Sequence, residues 1–150
     1  MDRYKYIEKL LYEYNSLKTF IKNAQQQIEN IQKDVDGVSG VSYNKVSSKT
    51  NNTPSIVENE VLKREKKISI LQKRIQKTQG LLDRLDRSIE VLNDIEKRII
   101  KLRYMKNLQW YEVSWNVKYS ERWCKELKSK AIEKIAVAMF GNIEEYENTV

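Results

Sequence analysis

The sequence predicts an all-α protein: a long antiparallel helical hairpin with a coiled-coil seam, followed by a C-terminal helix-turn-helix domain. Three observations predict it. Two stretches repeat apolar residues at alternating three- and four-residue steps. A later stretch sets a short apolar helix, a turn and a basic amphipathic helix in succession. Across 150 residues there are only four Gly and one Pro, with 33% charged side chains, a composition that leaves helices uninterrupted.

The first seam is Ile7, Leu10, Tyr14, Leu17, Ile21, Ala24, Ile28, Ile31 and Val35. It keeps the beat of a left-handed coiled coil through about four heptads. One helix from Asp2 to Asp36 is expected, with Gly37 as its stop. Residues 37–53 are rich in Gly, Ser, Asn and Thr without a period and read as a loop. Val38, Val41, Tyr43 and Val46 give that loop enough apolar content to pack locally or to order on a partner.

Thr53 before Pro54 signals a helix start, and Ser55 with Glu58 fits a capping box one step later. The second seam follows as Val61, Ile68, Leu71, Ile75, Thr78, Leu82, Leu85, Ile89 and Leu92, with Arg64 at one seam position and Gly80 off the seam. Two seams of similar length joined by a loop fold back economically as an antiparallel pair. Each helix then leaves the flanks of its seam partly wet. A second copy closing a four-helix bundle is therefore expected, giving a homodimer or higher oligomer.

At Leu92 the beat slips, because Ile89, Leu92 and Ile95 are separated by two successive steps of three. Asn93 and Asp94 are suitable caps for a new helix. The expected boundary lies there, with residues 1–92 as an oligomerisation arm, 93–141 as a DNA-reading domain and 142–150 as a tail.

Within 93–141, Ile95, Ile99 and Leu102 continue an apolar helix, and Trp110, Val113 and Val117 give a short helix one buried face. Ser114 is small enough to let a second helix cross closely. Residues Val117 to Ser120 make the turn, Ser120 is a good N-cap, and Glu121 places a negative charge in the first turn of the last helix. The inner stripe of that helix is Cys124, Leu127, Ala131 and Ile135, and its outer side carries Glu121, Arg122, Lys125, Glu126 and Ser129. Such polar groups suit base edges and phosphates in a major groove.

The formal charge is +7. Between Asp94 and Lys134, eleven basic side chains face six acidic ones, a surplus of five, so the polyanion-facing end is expected to be C-terminal. Arg122 and Lys125 are the expected base or phosphate donors, with Glu121 and Glu126 accepting from cytosine amino groups. Lys106, Lys118, Lys128 and Lys130 are expected phosphate clamps. Trp110 is expected in the core, Trp123 against the neighbouring helix or in the groove, and Trp115 at a protein contact. Tyr104, Tyr111 and Tyr119 border the reader with hydroxyls able to bond phosphate.

The strings KLRY at Lys101 to Tyr104, WYEV at Trp110 to Val113, VKYS at Val117 to Ser120 and KAI at Lys130 to Ile132 resemble the promoter-reading region four of bacterial sigma factors. Over its full length, with a coiled N-terminal half and the strings SERWC and KAIEKIA, the chain resembles small phage-encoded late-transcription activators of the RinA and ArpU kind. That resemblance implies double-stranded DNA as partner, contact with bacterial RNA polymerase, and a bacterial host cytoplasm as location. Three positions depart from the sigma pattern. Lys118 stands where glycine is usual, Gln109 where serine or threonine is usual, and Glu121 and Arg122 reverse the usual arginine-glutamate order, so the base preference does not carry over.

Catalysis is not expected. There is no His, hence neither the usual general base nor an imidazole ligand, and no glycine-rich phosphate cradle. The acid pairs Asp83 with Asp86 and Glu144 with Glu145 fall on solvated faces or in the tail. No cofactor or metal is expected. Cys124 is the only cysteine and suits a reducing cytoplasm as a small core residue. Neither a signal peptide nor a membrane span is expected. Two other functions fit parts of the pattern: a small terminase subunit, which usually carries its reader first, and a helical scaffold or adaptor that binds no nucleic acid.

Overall fold

The computed structural model describes residues 2–38 and 56–142, the side chains of 35–38 excepted. Every regular element among them is helical: α1 (Arg3–Val38), α2 (Ile56–Ile89), α3 (Asp94–Ile100), α4 (Trp110–Val117) and α5 (Glu121–Phe140), with α3 running directly into a π-helical turn at Lys101–Met105. The expected loop, the caps at Thr53 to Ser55 and the tail beyond 142 lie outside the described residues. Helix α1 continues through Val38, so Gly37 sits inside its last turn rather than after it.

The residues form two compact units, one of residues up to Lys18 together with those from Gly80 onward, the other of Thr19–Gln79. At the phase slip near Leu92 the helix breaks. The chain turns at Glu90 to Leu92, and Asn93 restarts it in extended conformation. Yet Leu92 lies inside the first unit, so the anticipated division at 92/93 is not where the compact units part.

In the first unit, Ile7, Leu10, Leu11 and Tyr14 of α1 and Leu82, Leu85 and Ile89 of α2 are buried, as are Ile99, Ile100, Leu102 and Tyr104. Helix α3 packs against both α4 and α5. A core of Ile99, Leu102, Val113, Val117 and Cys124 joins these three, with Ile95, Leu108, Trp110 and Leu127 packed around it. Further along α5, Ala131, Ile132, Ile135 and Met139 are also buried. The end of that helix meets the starts and ends of the long helices. Tyr6 and Phe140 have ring centroids 5.8 Å apart, the Arg3 guanidinium lies 5.4 Å from the Phe140 centroid, and Arg84 donates to the Met139 carbonyl at 2.7 Å. Helix α5 stops at Gly141, whose φ of 77° is readily adopted only without a Cβ.

One buried carboxylate organises the start of α3. Glu96, only 1% exposed, accepts from the Asn93 N–H at 3.3 Å while the Asn93 side chain accepts from the Glu96 N–H at 2.9 Å, a reciprocal cap. The same Glu96 oxygen receives the Lys134 ammonium of α5 at 2.8 Å. Glu96→Ala removes a cap and a charge-assisted hydrogen bond together and is expected to cost about 2–3 kcal/mol. Urea unfolding checks this, with Glu96→Gln, which keeps the cap, losing less.

In the second unit Ile21 and Ala24 of α1 are buried, and Ile28 and Ile31 are half-buried. On α2 the seam residues Val61, Ile68, Leu71, Ile75 and Thr78, with Arg64, are all half-buried, whereas Ile56, Leu62 and Ile70 are exposed. Arg74 lies 4.9 Å over the Phe20 ring. Gly80 is exposed and a methyl there would meet nothing within 4 Å, so nothing in the structure explains it.

Candidate nucleic-acid interface

The short helix α4 begins where the Gln109 N–H donates to the Glu112 carboxylate at 2.8 Å. That bond is the half of a capping box in which the residue three places into the helix reaches back to the N–H of the capping residue; a serine or threonine at Gln109 would act on a different group, accepting from an N–H in the first turn. Before it, Arg103 donates to the Leu108 carbonyl at 2.9 Å and stacks 4.8 Å over the Trp110 ring. Trp110 is thus half-buried on the core, as expected of it.

The turn after α4 is held from both sides. Lys118 takes a left-handed conformation, φ 60° and ψ 38°, and donates its N–H to the Ser114 carbonyl at 2.8 Å. The Ser114 hydroxyl donates to the Tyr119 carbonyl, which the Cys124 thiol also approaches at 3.9 Å. Ser114 therefore does more than leave room for a crossing helix; it clamps the turn. Ser120 then accepts from the Trp123 N–H at 3.1 Å and caps α5. Burial pushes the Cys124 thiol pKa up, with Glu121 adding to the shift, which suits a core thiol rather than a nucleophile.

A Cβ in the left-handed region costs about 1–2 kcal/mol. Lys118→Gly is therefore expected to stabilise the protein by about 1 kcal/mol and raise its melting temperature by several degrees. If Lys118 also holds a phosphate, the same change weakens duplex binding. Thermal melts and duplex titrations check the two halves separately.

On α5, Glu121, Arg122, Lys125, Glu126, Ser129, Lys130 and Glu133 line one shallow surface depression. The Arg122 side chain is 91% exposed and, among the described residues, forms an ion pair with Glu126 alone, at 3.7 Å. Lys125 is exposed, and Lys130 is exposed with its ammonium 5.4 Å from the Trp123 ring centroid. Ser129 is half-buried, its hydroxyl donating to the Lys125 carbonyl at 3.1 Å and lying 3.3 Å from the Tyr4 hydroxyl. Three cations and three carboxylates share this depression, so the face carries matched donors and acceptors rather than a net positive field. Lys106 and Lys118 are exposed but do not line this depression, and Arg98 and Lys101, which were not among the expected phosphate contacts, are exposed as well.

Two expected phosphate contacts are overturned by packing. The Lys128 side chain is 18% exposed and lies 3.6 Å from Glu8. Its ammonium donates to the Tyr4 hydroxyl at 3.0 Å and sits 5.9 Å from the Trp110 ring centroid. It is an internal ion-pair partner and no free clamp. Its position was legible, four residues after Cys124 and four before Ile132, on the buried arc. Tyr104 is likewise buried and donates to Glu8 at 2.7 Å; burial first, then Glu8, drives its phenol pKa far up. By contrast Trp115 is 85% exposed, and Tyr111, Trp115 and Tyr119 line an open aromatic patch with Ser114 and Lys118.

Among the described residues no group of His, Cys, Asp and Glu is placed to hold a metal ion, and no helix is long and apolar enough to cross a membrane. A family model matches residues 3–137, from the first turn of α1 to the last turn of α5. The chain belongs to that family, described as Protein of unknown function (DUF722). In this DUF722 chain the match takes in both long helices and the whole of the candidate interface. No curated protein and no solved structure matches it.

Proposed function

We propose that this chain is a sequence-specific DNA-binding transcription regulator, an activator of phage late genes of the RinA and ArpU kind that its sequence resembles. The helix-turn-helix is α4, the turn at Lys118 to Ser120, and α5, whose leading outer face reads the major groove. The observation that carries this reading is the exposure of Arg122 and Lys125 at the capped, leading end of α5, beyond a turn stitched by Ser114. Arg122 and Lys125 are the donors, Glu121 and Glu126 the acceptors, and Lys106, Lys118 and Lys130 the phosphate contacts, with Ser129 at the edge against Tyr4.

Helices α1 and α2 form the antiparallel hairpin. Tyr14 donating to Asp86 at 2.7 Å and Arg74 stacking on Phe20 support that pairing. Homodimerisation through the hairpin is supported by the half-wet seam of α2, whose Val61, Ile68, Leu71, Ile75 and Thr78 are only half-buried. A dimer presents two readers to two half-sites. The exposed Tyr111 and Trp115 supply a face for polymerase, in the bacterial cytoplasm.

Selection of bound fragments from a random duplex pool tests the proposal. One enriched motif is expected, and its position relative to late genes or a packaging site separates an activator from a terminase subunit. Binding is also expected to weaken steeply with salt, log K against log salt sloping at roughly −4 to −5 if about five phosphates are neutralised. No enriched motif and a flat salt response would leave the adaptor reading in its place.

A further inference from the structure

The densest positive charge in the chain is on α2 and not at its C-terminal end. From Lys63 to Lys77 there are seven basic side chains and one acidic, a surplus of six in fifteen residues, larger than the surplus of the whole segment from Asp94 to Lys134. Lys63, Lys66, Lys67, Lys73, Arg74 and Lys77 all fall with Ile70 inside an arc of about 120° on the helix. All six are exposed, and none joins an ion pair among the described residues. The half-buried seam residues Ile68, Leu71 and Ile75 occupy a different arc, so packing along the seam leaves this stripe in solvent. No carboxylate occurs on α2 between Glu65 and Asp83 to neutralise it.

We infer that this stripe is a second nucleic-acid contact, a sequence-independent track for the phosphates of duplex DNA. Fourteen helical steps make it about 21 Å long, and one strand of a duplex presents about six phosphates over that distance along its axis. A row of one sign without a pocket or acceptor suits a repeating anion better than a single acidic side chain. An anionic lipid surface is less well matched. Ile70 within the stripe, Leu62 at its edge and Ile56 about two turns before Leu62 are scattered single aliphatic groups, whereas interfacial helices bury a broad apolar face. The inference stands on α2 alone and does not require the α5 reader.

The test uses the full chain carrying Lys63→Gln, Lys66→Gln, Lys67→Gln, Lys73→Gln and Lys77→Gln, glutamine being helix-favouring. Anisotropy titrations with a labelled duplex of random sequence should show a salt slope shallower by about three and affinity near 0.1 M salt lower by roughly a hundredfold or more. The circular-dichroism signal should be unchanged, and the five corresponding Lys→Arg changes should retain binding. Should the five-fold variant not fold, Lys66→Gln with Lys73→Gln is expected to flatten the slope by about one to two. Unaltered slope and affinity in these variants would overturn the inference. So would lost binding to phosphatidylserine-containing vesicles with duplex binding intact, which would assign the stripe to a lipid surface. Arg122→Ala with Lys125→Ala, run in parallel, separates the two interfaces: loss of motif selection there with an unaffected stripe variant sinks only the stripe, and the reverse sinks only the reader.

Discussion

Replacing Arg122 and Lys125 together by alanine is expected to abolish site-specific DNA binding while leaving the helical circular-dichroism signal intact. Both side chains are exposed, and among the described residues Arg122 has Glu126 alone as an ionic partner. Truncating them opens no cavity in the core of Ile99, Leu102, Val113, Val117 and Cys124. A well-placed contact to a base is worth about 1–3 kcal/mol of discrimination, so losing two should lower preference for the site by roughly one to four orders of magnitude. Footprints on the selected motif measure this. An unaltered footprint refutes the assignment of α5 as reader.

The second large effect concerns the boundary at Leu92. A fragment beginning at Asn93 contains every helix of the proposed reader, and from the seam pattern alone it should fold. The structure predicts that it does not. The fragment loses Ile7, Leu11, Leu82 and Leu85, all essentially inaccessible. At about 1.5–3 kcal/mol for each fully buried aliphatic side chain, their loss is comparable with the whole net stability of a small domain. It also strips Glu8 from Tyr104 and Lys128, Tyr6 from Phe140 and Arg84 from the end of α5. Thermal melting of the fragment is expected to show no cooperative transition, whereas the full chain melts cooperatively. A fragment that melts as sharply as the full chain would contradict this.

Much of this was legible along the chain. The steps of three and four marked the helical stretches and most of their buried residues, though not Leu11, Ile100, Tyr104, Ile132 or Met139. Ser120 and Asn93 announced two helix starts, because capping depends on a side chain and the backbone within three residues of it. The left-handed turn at Lys118 could be anticipated for a similar reason, since the step between two close helices is local geometry. The outward placement of Arg122 and Lys125 followed from helix phase. The α2 stripe was equally readable, since its six cations recur at helical spacing along a single helix.

What the sequence by itself determined, then, is the set of helices, their caps and which side of each is apolar, all of which depend on residues within a few turns of one another. Only the tertiary structure decided which helices share a core. Leu11 lies beside the first seam and is buried in the unit that also contains α5; Lys128 and Tyr104 were expected at phosphates and are instead consumed by Glu8, ninety-six or more residues away in the chain. A local period records that a face is apolar or charged. It carries no information about the distant partner that covers it, because that partner is selected by complementary packing and desolvation over the whole folded unit.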